Sequence, residues 1–220
     1  MTKSDDEILA SQCNICRCEV LRFIESFPGG GKTRCPICGS FERHRILKDV
    51  YENQIKPIFN FQNKKVLICT PSKAESDYLL SDAAKVISFD IRPVDWFDLQ
   101  MDICNMSNIE SNSVDAFIAI AVLQHVDDDI KAINEVWRVL KPGGWFFVQA
   151  SNLYSGNTTP FDQKHKHYTE EEFKKYRVAT YRVYGLQNLK DLIASKFSVR
   201  SFYGRDPVTL GADHIICGVK

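Results

Sequence analysis

The sequence lacks a long hydrophobic run and a surplus of charge of either sign. No apolar stretch approaches the roughly 18 residues that a membrane-spanning helix needs, and the opening "MTKSDDEILA" lacks the apolar core of a signal peptide. Lysine plus arginine number 28, as do aspartate plus glutamate. This balance gives no global attraction to nucleic acid or to an anionic membrane. We therefore expect a cytoplasmic protein with no membrane partner, and nucleic acid is disfavoured as a partner.

Cysteine, in contrast, is plentiful, with eight in 220 residues. Four of them form the pairs "CNIC" and "CPIC": Cys13, Cys16, Cys35 and Cys38. Each Cys-x-x-Cys turn places two thiolates on one ion, and two such turns complete a tetrahedral zinc site. Gly39 permits a tight turn after the second pair, and "FPGGGK" between the pairs is typical of a hairpin tip. We predict a closed, structural zinc site with Cys18 as a spare thiol; the alternative is four unrelated core cysteines.

A helix is predicted directly after the second pair, in "SFERHRILKDVYENQI". Its apolar residues recur at helical spacing, and Pro57 ends it. Arg43, His44 and Arg45 fall in the first turn, where cations are mildly unfavourable. We interpret them as a solvated basic face; the alternative is an anion or substrate contact.

From Lys65 the chain alternates strands and helices. The predicted strands are "KKVLIC", "KVISFD", "LQMDI", "SVDAFIAIA" and "WFFVQA", with "FSVRSFYG" and "DHIICGVK" as a terminal pair. The helix "DIKAINEVWRVL" has an apolar face that includes Ile130 and Trp137, a cap at Asp127–Asp129 and an end at "KPGG". A second helix is predicted at "NLKDLIAS", and Cys69, Cys104 and Cys217 are expected in the core. This alternation predicts an α/β fold with a mostly parallel sheet covered by helices on both faces.

The loop after the first of these strands, Thr70-Pro71-Ser72, has no glycine, although this is the usual place for a nucleotide-like cofactor. "SKAE" has the form of a capping box between Ser72 and Glu75, so the helix N-terminus can face an anionic group without glycine. Asp90 ends the next strand about 20 residues on, where a carboxylate binds ribose hydroxyls. Asp102 ends the predicted third strand. Together they favour a nucleoside cofactor with a carboxylate, against the alternative of solvated strand-end acids.

The segment "SVDAFIAIAVLQHVDDDIKAINEVWRVLKPGGWFFVQ" resembles the fourth-to-fifth-strand signature of class I S-adenosylmethionine-dependent methyltransferases. With "CPICGSFERHR", "YRVYGLQNLKDLIASKF" and "TLGADHIIC", the whole chain is similar to a bacterial subgroup with an N-terminal zinc ribbon, whose first loop also lacks glycine. The resemblance implies a Rossmann-like, doubly wound sheet of seven strands. It divides the chain into a zinc ribbon (1–42), a connecting helix (43–60) and a methyltransferase domain (61–220).

The resemblance also implies where S-adenosylmethionine binds. The expected contacts are Thr70, Pro71 and Ser72 at the methionine end, Asp90 at the ribose, Ile91, Asp102 and Ile103 around the adenine, and Ala119 to Ala121 beneath. The chain departs from the subgroup at Gln124, where an acid is common, and at Ala179 and Thr180, where an Asp-His pair is common.

Three histidines are candidates for removing a proton from the acceptor: His125, His165 and His167. An unperturbed imidazole titrates near pH 6.5 and can act as a base at neutral pH. The alternatives are that His125 orients its loop, and that His165 and His167 lie on a solvated loop or bind a metal. We expect the acceptor between His125 and the insertion that carries Tyr154, with Arg43 to Arg45 closing one side.

The favoured function is methylation, through oxygen, of a small molecule or sugar, such as a precursor in polysaccharide biosynthesis. One alternative is an RNA methyltransferase that grips its substrate with the ribbon. Another is a non-catalytic scaffold that binds the cofactor.

Overall fold

The computed structural model describes residues 11–25, 31–150, 155–161, 170–176 and 179–220. Tyr154, His165, His167 and most of the predicted hairpin tip lie outside these ranges. The strands are β1 Ser11–Gln12, β2 Glu19–Val20, β3 Ile24–Glu25, β4 Lys32–Arg34, β5 Lys65–Cys69, β6 Lys85–Asp90, β7 Leu99–Gln100, β8 Val114–Ile120, β9 Leu140–Gln149, β10 Thr159–Pro160, β11 Arg182–Val183, β12 Ser198–Arg205 and β13 Ala212–Val219. The helices are α1 Glu42–Val50, α2 Asp129–Val139, α3 Glu170–Tyr176 and α4 Leu186–Ala194, with π-helical segments Tyr51–Ile55 and Ala74–Leu79 and a 3-10 turn at Leu123–His125.

Seven strands form one sheet in the order β12-β13-β9-β8-β5-β6-β7. Strands β5 to β9 pair in parallel, and β13 joins β9 antiparallel with β12 at the edge. The predicted Rossmann-like sheet is therefore confirmed. The chain runs outward from β5 in one direction and resumes at β8 on the other side. A crevice forms at such a reversal, beyond the carboxyl ends of the strands.

The two faces of the sheet bury separate apolar cores. In β5, Leu67 belongs to the core beneath α2 and α4, while Val66 and Ile68 belong to the core beneath α1. Phe146 and Phe147 alternate in the same way in β9. This alternation explains why the parallel strands read as continuous hydrophobic runs.

Helix α2 begins as predicted, because the Asp128 side chain accepts a hydrogen bond from the Lys131 backbone N–H. The prediction for Ile130 was wrong, since this residue is 64% exposed. The buried stripe centres on Val136, and each helical residue turns about 100°, so Ile130 lies about 120° away. The helix ends at Val139, and "KPGG" belongs to β9 instead of a loop.

Helix α1 packs on β12 and contradicts the expected solvated basic face. His44 and Arg45 are buried, and Arg43 is half-buried. Arg45 forms a buried, bidentate ion pair with Asp206, with distances of 2.8 Å from Nε and 2.7 Å from Nη2. Asp206, the partner of Arg45, lies 161 residues away in sequence. Local helix propensity therefore does not predict that Arg45 is buried.

Cys69 and Cys217 are buried as predicted. Cys104 lies at the margin of the core, because its side chain is half-buried and packs against the core beneath α2 and α4, while its thiol donates to the Asp128 carbonyl at 3.3 Å. In the part of the chain that the structure describes, no helix has both the length and the apolar character needed to cross a bilayer.

Candidate functional site

The four paired cysteines converge on one point. The Sγ atoms of Cys13, Cys16, Cys35 and Cys38 all lie within 4.8 Å of one another. Cys13 and Cys38 are 3.8 Å apart, and Cys16 and Cys35 are 3.9 Å apart. Four sulfurs bound tetrahedrally at about 2.3 Å from zinc are separated by about 3.8 Å. The donor set and its spacing therefore fit a zinc ion.

Two residues near the cysteine cluster were also singled out in the sequence, Gly39 and Cys18. Gly39 has a φ of 72°, as expected for the tight turn after the second pair. Cys18 is exposed and lies outside the cluster, with its thiol directed to the Cys16 carbonyl at 3.6 Å. The Cys18 thiol, the fifth thiol in this segment, is thus directed away from the four cysteines of the cluster.

Arg45 connects the cysteine segment to the sheet. Its Nη1 donates to the Ser40 carbonyl at 3.0 Å and its Nη2 to the Thr33 carbonyl at 2.8 Å, while its other bonds reach Asp206 beyond β12. Burial alone raises the pKa of Asp206, but the bonds from Arg45 and Thr209 outweigh it and lower the pKa. The guanidinium is therefore a structural link and not an acceptor contact.

A cavity of about 860 Å³ opens beyond the carboxyl ends of the parallel strands. Seven of the residues expected around the cofactor line it: Thr70, Asp90, Ile91, Asp102, Ile103, Ile120 and Ala121. The other three lie elsewhere: Pro71 and Ser72 are not among the lining residues, and Ala119 is buried in the core on the α2 side.

The two strand-end acids both face this cavity and are held by local bonds. Asp90 is 2% exposed, and its carboxylate accepts from the Arg92 backbone N–H at 2.8 Å and from the Arg92 guanidinium at 3.0 and 3.1 Å. Asp102 accepts from the Cys104 N–H at 2.8 Å. Both carboxylates are oriented before any ligand arrives.

Two residues beside the strand reversal adopt left-handed backbone conformations. Thr70 has a φ of 52° and Ala121 a φ of 57°. Each is held by a backbone bond of 2.7 Å, from Thr70 to Phe89 and from Ala121 to Gln149. This region is rarely populated by β-branched residues, and such strain clusters at functional sites. Thr70 therefore adopts a turn conformation that glycine adopts with less steric strain. The sequence alone did not predict this conformation.

The predicted capping box forms only in part. Glu75 reaches back to the Ser72 N–H at 2.8 Å, but the Ser72 hydroxyl donates to Glu75 at 3.0 Å instead of accepting from the helix. The same hydroxyl lies 3.4 Å from His44 Nε2. Burial raises the pKa of Glu75, whereas burial and then the charges of Arg43 and Arg45 lower the pKa of His44. These groups fasten the first loop to α1.

His125 lies at the rim of the cavity with hydrogen bonds at both ring nitrogens. Its Nδ1 is 3.2 Å from the Ala179 carbonyl and 3.2 Å from the Thr180 hydroxyl. Because a carbonyl only accepts, we place the hydrogen on Nδ1, and Nε2 then accepts from the Gln124 amide at 3.3 Å. Ala179 and Thr180, where the chain departs from the subgroup, are thus the partners of this histidine.

Sequence reasoning missed two polar side chains in the cavity wall. Gln149 is 2% exposed, and its amide nitrogen donates to Asp213 at 2.8 Å. Among the described residues, its Oε1 has no hydrogen-bond partner. Burial raises the pKa of Asp213. A polar residue that ends the hydrophobic run "WFFV" was the available signal for Gln149.

The comparisons with known proteins agree with this architecture. Residues 62–148 match the methyltransferase domain family. No curated protein matches the sequence.

Among solved structures, a chain of the complex between the Haloferax volcanii Trm112 methyltransferase activator and a methyltransferase is similar over 80% of this chain and 90% of that chain, with 15% identity and a TM-score of 0.55. The Burkholderia thailandensis 1,6-didemethyltoxoflavin-N1-methyltransferase, solved with 1,6-didemethyltoxoflavin and S-adenosylhomocysteine, is similar over 72% of each chain, with 14% identity and a TM-score of 0.50. At this identity the likeness shows the fold. The family match adds that residues 62–148 are similar to a methyltransferase domain.

Proposed function

We propose that the protein transfers a methyl group from S-adenosylmethionine to a hydroxyl group of a small molecule or sugar. The observation that carries this proposal is the cavity beyond the carboxyl ends of the parallel strands. It joins the strand-end acids Asp90 and Asp102 to His125, Arg43 and Asp213 without a break. A volume of about 860 Å³ lies within the range of small-molecule sites.

The residues at the β5–β6 end fit the cofactor. Asp90 would accept from the ribose hydroxyls, with Arg92 holding its carboxylate in place. Ile91 and Ile103 offer apolar surface to the adenine, and Asp102 lies at its edge. Thr70 and Ala121 would line the methionine end, and Pro71 and Ser72 complete the first loop without lining the cavity. When bound, the cofactor supplies an electrophilic methyl group on a sulfonium sulfur.

The acceptor would then lie between His125 and Arg43. Its hydroxyl would replace the Gln124 amide at His125 Nε2, so that the imidazole lone pair can take the hydroxyl proton. The Nδ1 bond to Ala179 fixes the ring orientation for this transfer. His165 and His167 remain candidates for the same role.

Titration calorimetry with S-adenosylmethionine and S-adenosylhomocysteine tests the cofactor site. Asp90→Ala should weaken binding by about 1.5–3 kcal/mol, the size of charge-assisted hydrogen bonds. Asp191→Ala is the matched control, because Asp191 is exposed on α4 and lines no part of the cavity. If the unaltered protein binds neither compound at millimolar concentration, the enzyme proposal fails and a scaffold takes its place.

A further inference from the structure

One end of the cavity has polar groups that neither cofactor binding nor proton removal uses. Gln149 ends β9 and Asp90 ends β6, and β8 and β5 lie between them. At about 4.8 Å per strand, the two positions are about 14 Å apart. Gln149 and Asp213 therefore lie away from the ribose contact.

The unpartnered Gln149 Oε1 points to a ligand at this end. Its amide nitrogen is already used on Asp213, and the side chain is almost fully buried in the cavity wall. A buried carbonyl oxygen without a donor costs about 1–3 kcal/mol. This oxygen only accepts hydrogen bonds, as does the Asp213 carboxylate when it is ionised, so the pair favours a ligand with donors.

Arg43 contributes a positive charge to the wall of the same cavity. Its guanidinium lies 4.5 Å from the Phe41 ring centroid, and no ion pair of Arg43 occurs within the described ranges. Burial lowers the Arg43 pKa, and Glu75 offsets this only in part. A half-buried cation of this kind suits a phosphate, which guanidinium binds with two parallel hydrogen bonds. It would also repel an ammonium group, so neutral donors such as hydroxyls suit Gln149 and Asp213 best.

We propose that Gln149, Asp213 and Arg43 form a subsite for a phosphorylated sugar, in which sugar hydroxyls donate to Gln149 and Asp213 and the phosphate pairs with Arg43. This inference rests on the proposed function, since it names the acceptor class for the same cavity. It assigns recognition of the acceptor to α1, β9 and β13.

Saturation-transfer NMR tests the subsite with glucose 1-phosphate, glucose 6-phosphate, glucose and inorganic phosphate. Each probe is measured with and without S-adenosylhomocysteine. We expect the sugar phosphates to bind more tightly than glucose or phosphate alone. Arg43→Gln should weaken their binding at least about tenfold, as for a charged hydrogen bond, and Gln149→Leu about fivefold. Arg200→Gln, exposed and outside the cavity wall, is the control and should change nothing.

Cofactor binding shows whether each variant is folded, because the side chains of Arg43 and Gln149 are not among the groups assigned to the cofactor, and the bond from Ala121 uses only the Gln149 backbone carbonyl. The subsite is overturned if neither sugar phosphate binds, or if both variants bind them as tightly as the unaltered protein does. If the unaltered protein does not bind S-adenosylhomocysteine, the proposed methyl transfer fails. The measurements made without that compound still show whether the subsite binds a sugar phosphate.

Discussion

At the scale of single residues, the Arg45–Asp206 ion pair links the cysteine segment to the loop after β12. Both side chains are fully buried, and the guanidinium also bonds to carbonyls of the cysteine segment. A buried ion pair stabilises little by its mere presence, but removing one partner leaves an uncompensated charge. The basic cluster at 43–45 therefore divides into one structural cation, one neutral imidazole and one cation that faces the cavity.

Arg45→Met should lower the free energy of unfolding by about 3–5 kcal/mol, because it leaves Asp206 buried without its partner. Urea denaturation followed by circular dichroism measures the change. Lys48→Met is the matched control on the same helix, since the Lys48–Glu52 pair is partly exposed and should contribute less than about 1 kcal/mol. Equal losses in the two variants would mean that the buried pair has no special role.

His125→Ala should reduce turnover by about 10²–10⁴-fold if His125 is the general base, with cofactor affinity little changed. Turnover is measured with the acceptor that a metabolite screen identifies. Thr180→Val is the control, because it removes only one contact to Nδ1. Near-full activity of the alanine variant would leave His125 the role of orienting its loop, and His165 and His167 would be tested next.

At the scale of elements, the position of α1 determines one wall of the cavity. The helix lies close to β12 at Gly204, where an added Cβ would clash with a Val50 methyl group. It supplies Arg43 to the cavity and His44 to the first loop. The spacing of its apolar residues predicted the helix, but not which of its polar residues would be buried.

Gly204→Ala should destabilise the protein by about 1–3 kcal/mol, the usual cost of overpacking, because α1 must move away from β12. Thermal unfolding measures the shift. Gly31→Ala is the control, since a Cβ there meets only a Thr33 methyl group at 3.4 Å. A melting temperature for Gly204→Ala equal to that of the control would show that α1 has room to shift freely.

At the scale of the whole molecule, hydrogen bonds and helix α1 connect the cysteine cluster to the sheet and the cavity. Arg45 bonds to the segment between the cysteines and to the loop between β12 and β13. α1 then runs from the last cysteine to the cavity wall. Loss of a metal from the cysteine cluster is therefore expected to destabilise the cavity wall that α1 forms.

Metal analysis should find about one zinc per chain, since four thiolates complete a closed site. The double variant Cys35→Ala, Cys38→Ala should lose the metal and melt at a lower temperature. Cys18→Ala should keep it, because Cys18 lies outside the cluster. Full zinc retention in the double variant would disprove the ligand assignment.

Patterns within short segments were enough to predict much of this protein. Hydrophobic runs located β5, β6, β8 and β9, paired cysteines located the cluster, and strand-end positions located Asp90 and Asp102 at the cavity. Each of these signals is local, because it lies in the periodicity or spacing of residues that are close in sequence.

The remaining features depend on contacts between residues far apart in sequence. The burial of Arg45 requires Asp206, the pairing of Gln149 with Asp213 requires β13 to lie beside β9, and the left-handed turn at Thr70 requires the carbonyl of Phe89. A sequence pattern records what a residue is, but the free energy of a buried charge or a strained turn depends on which partner the fold brings to it.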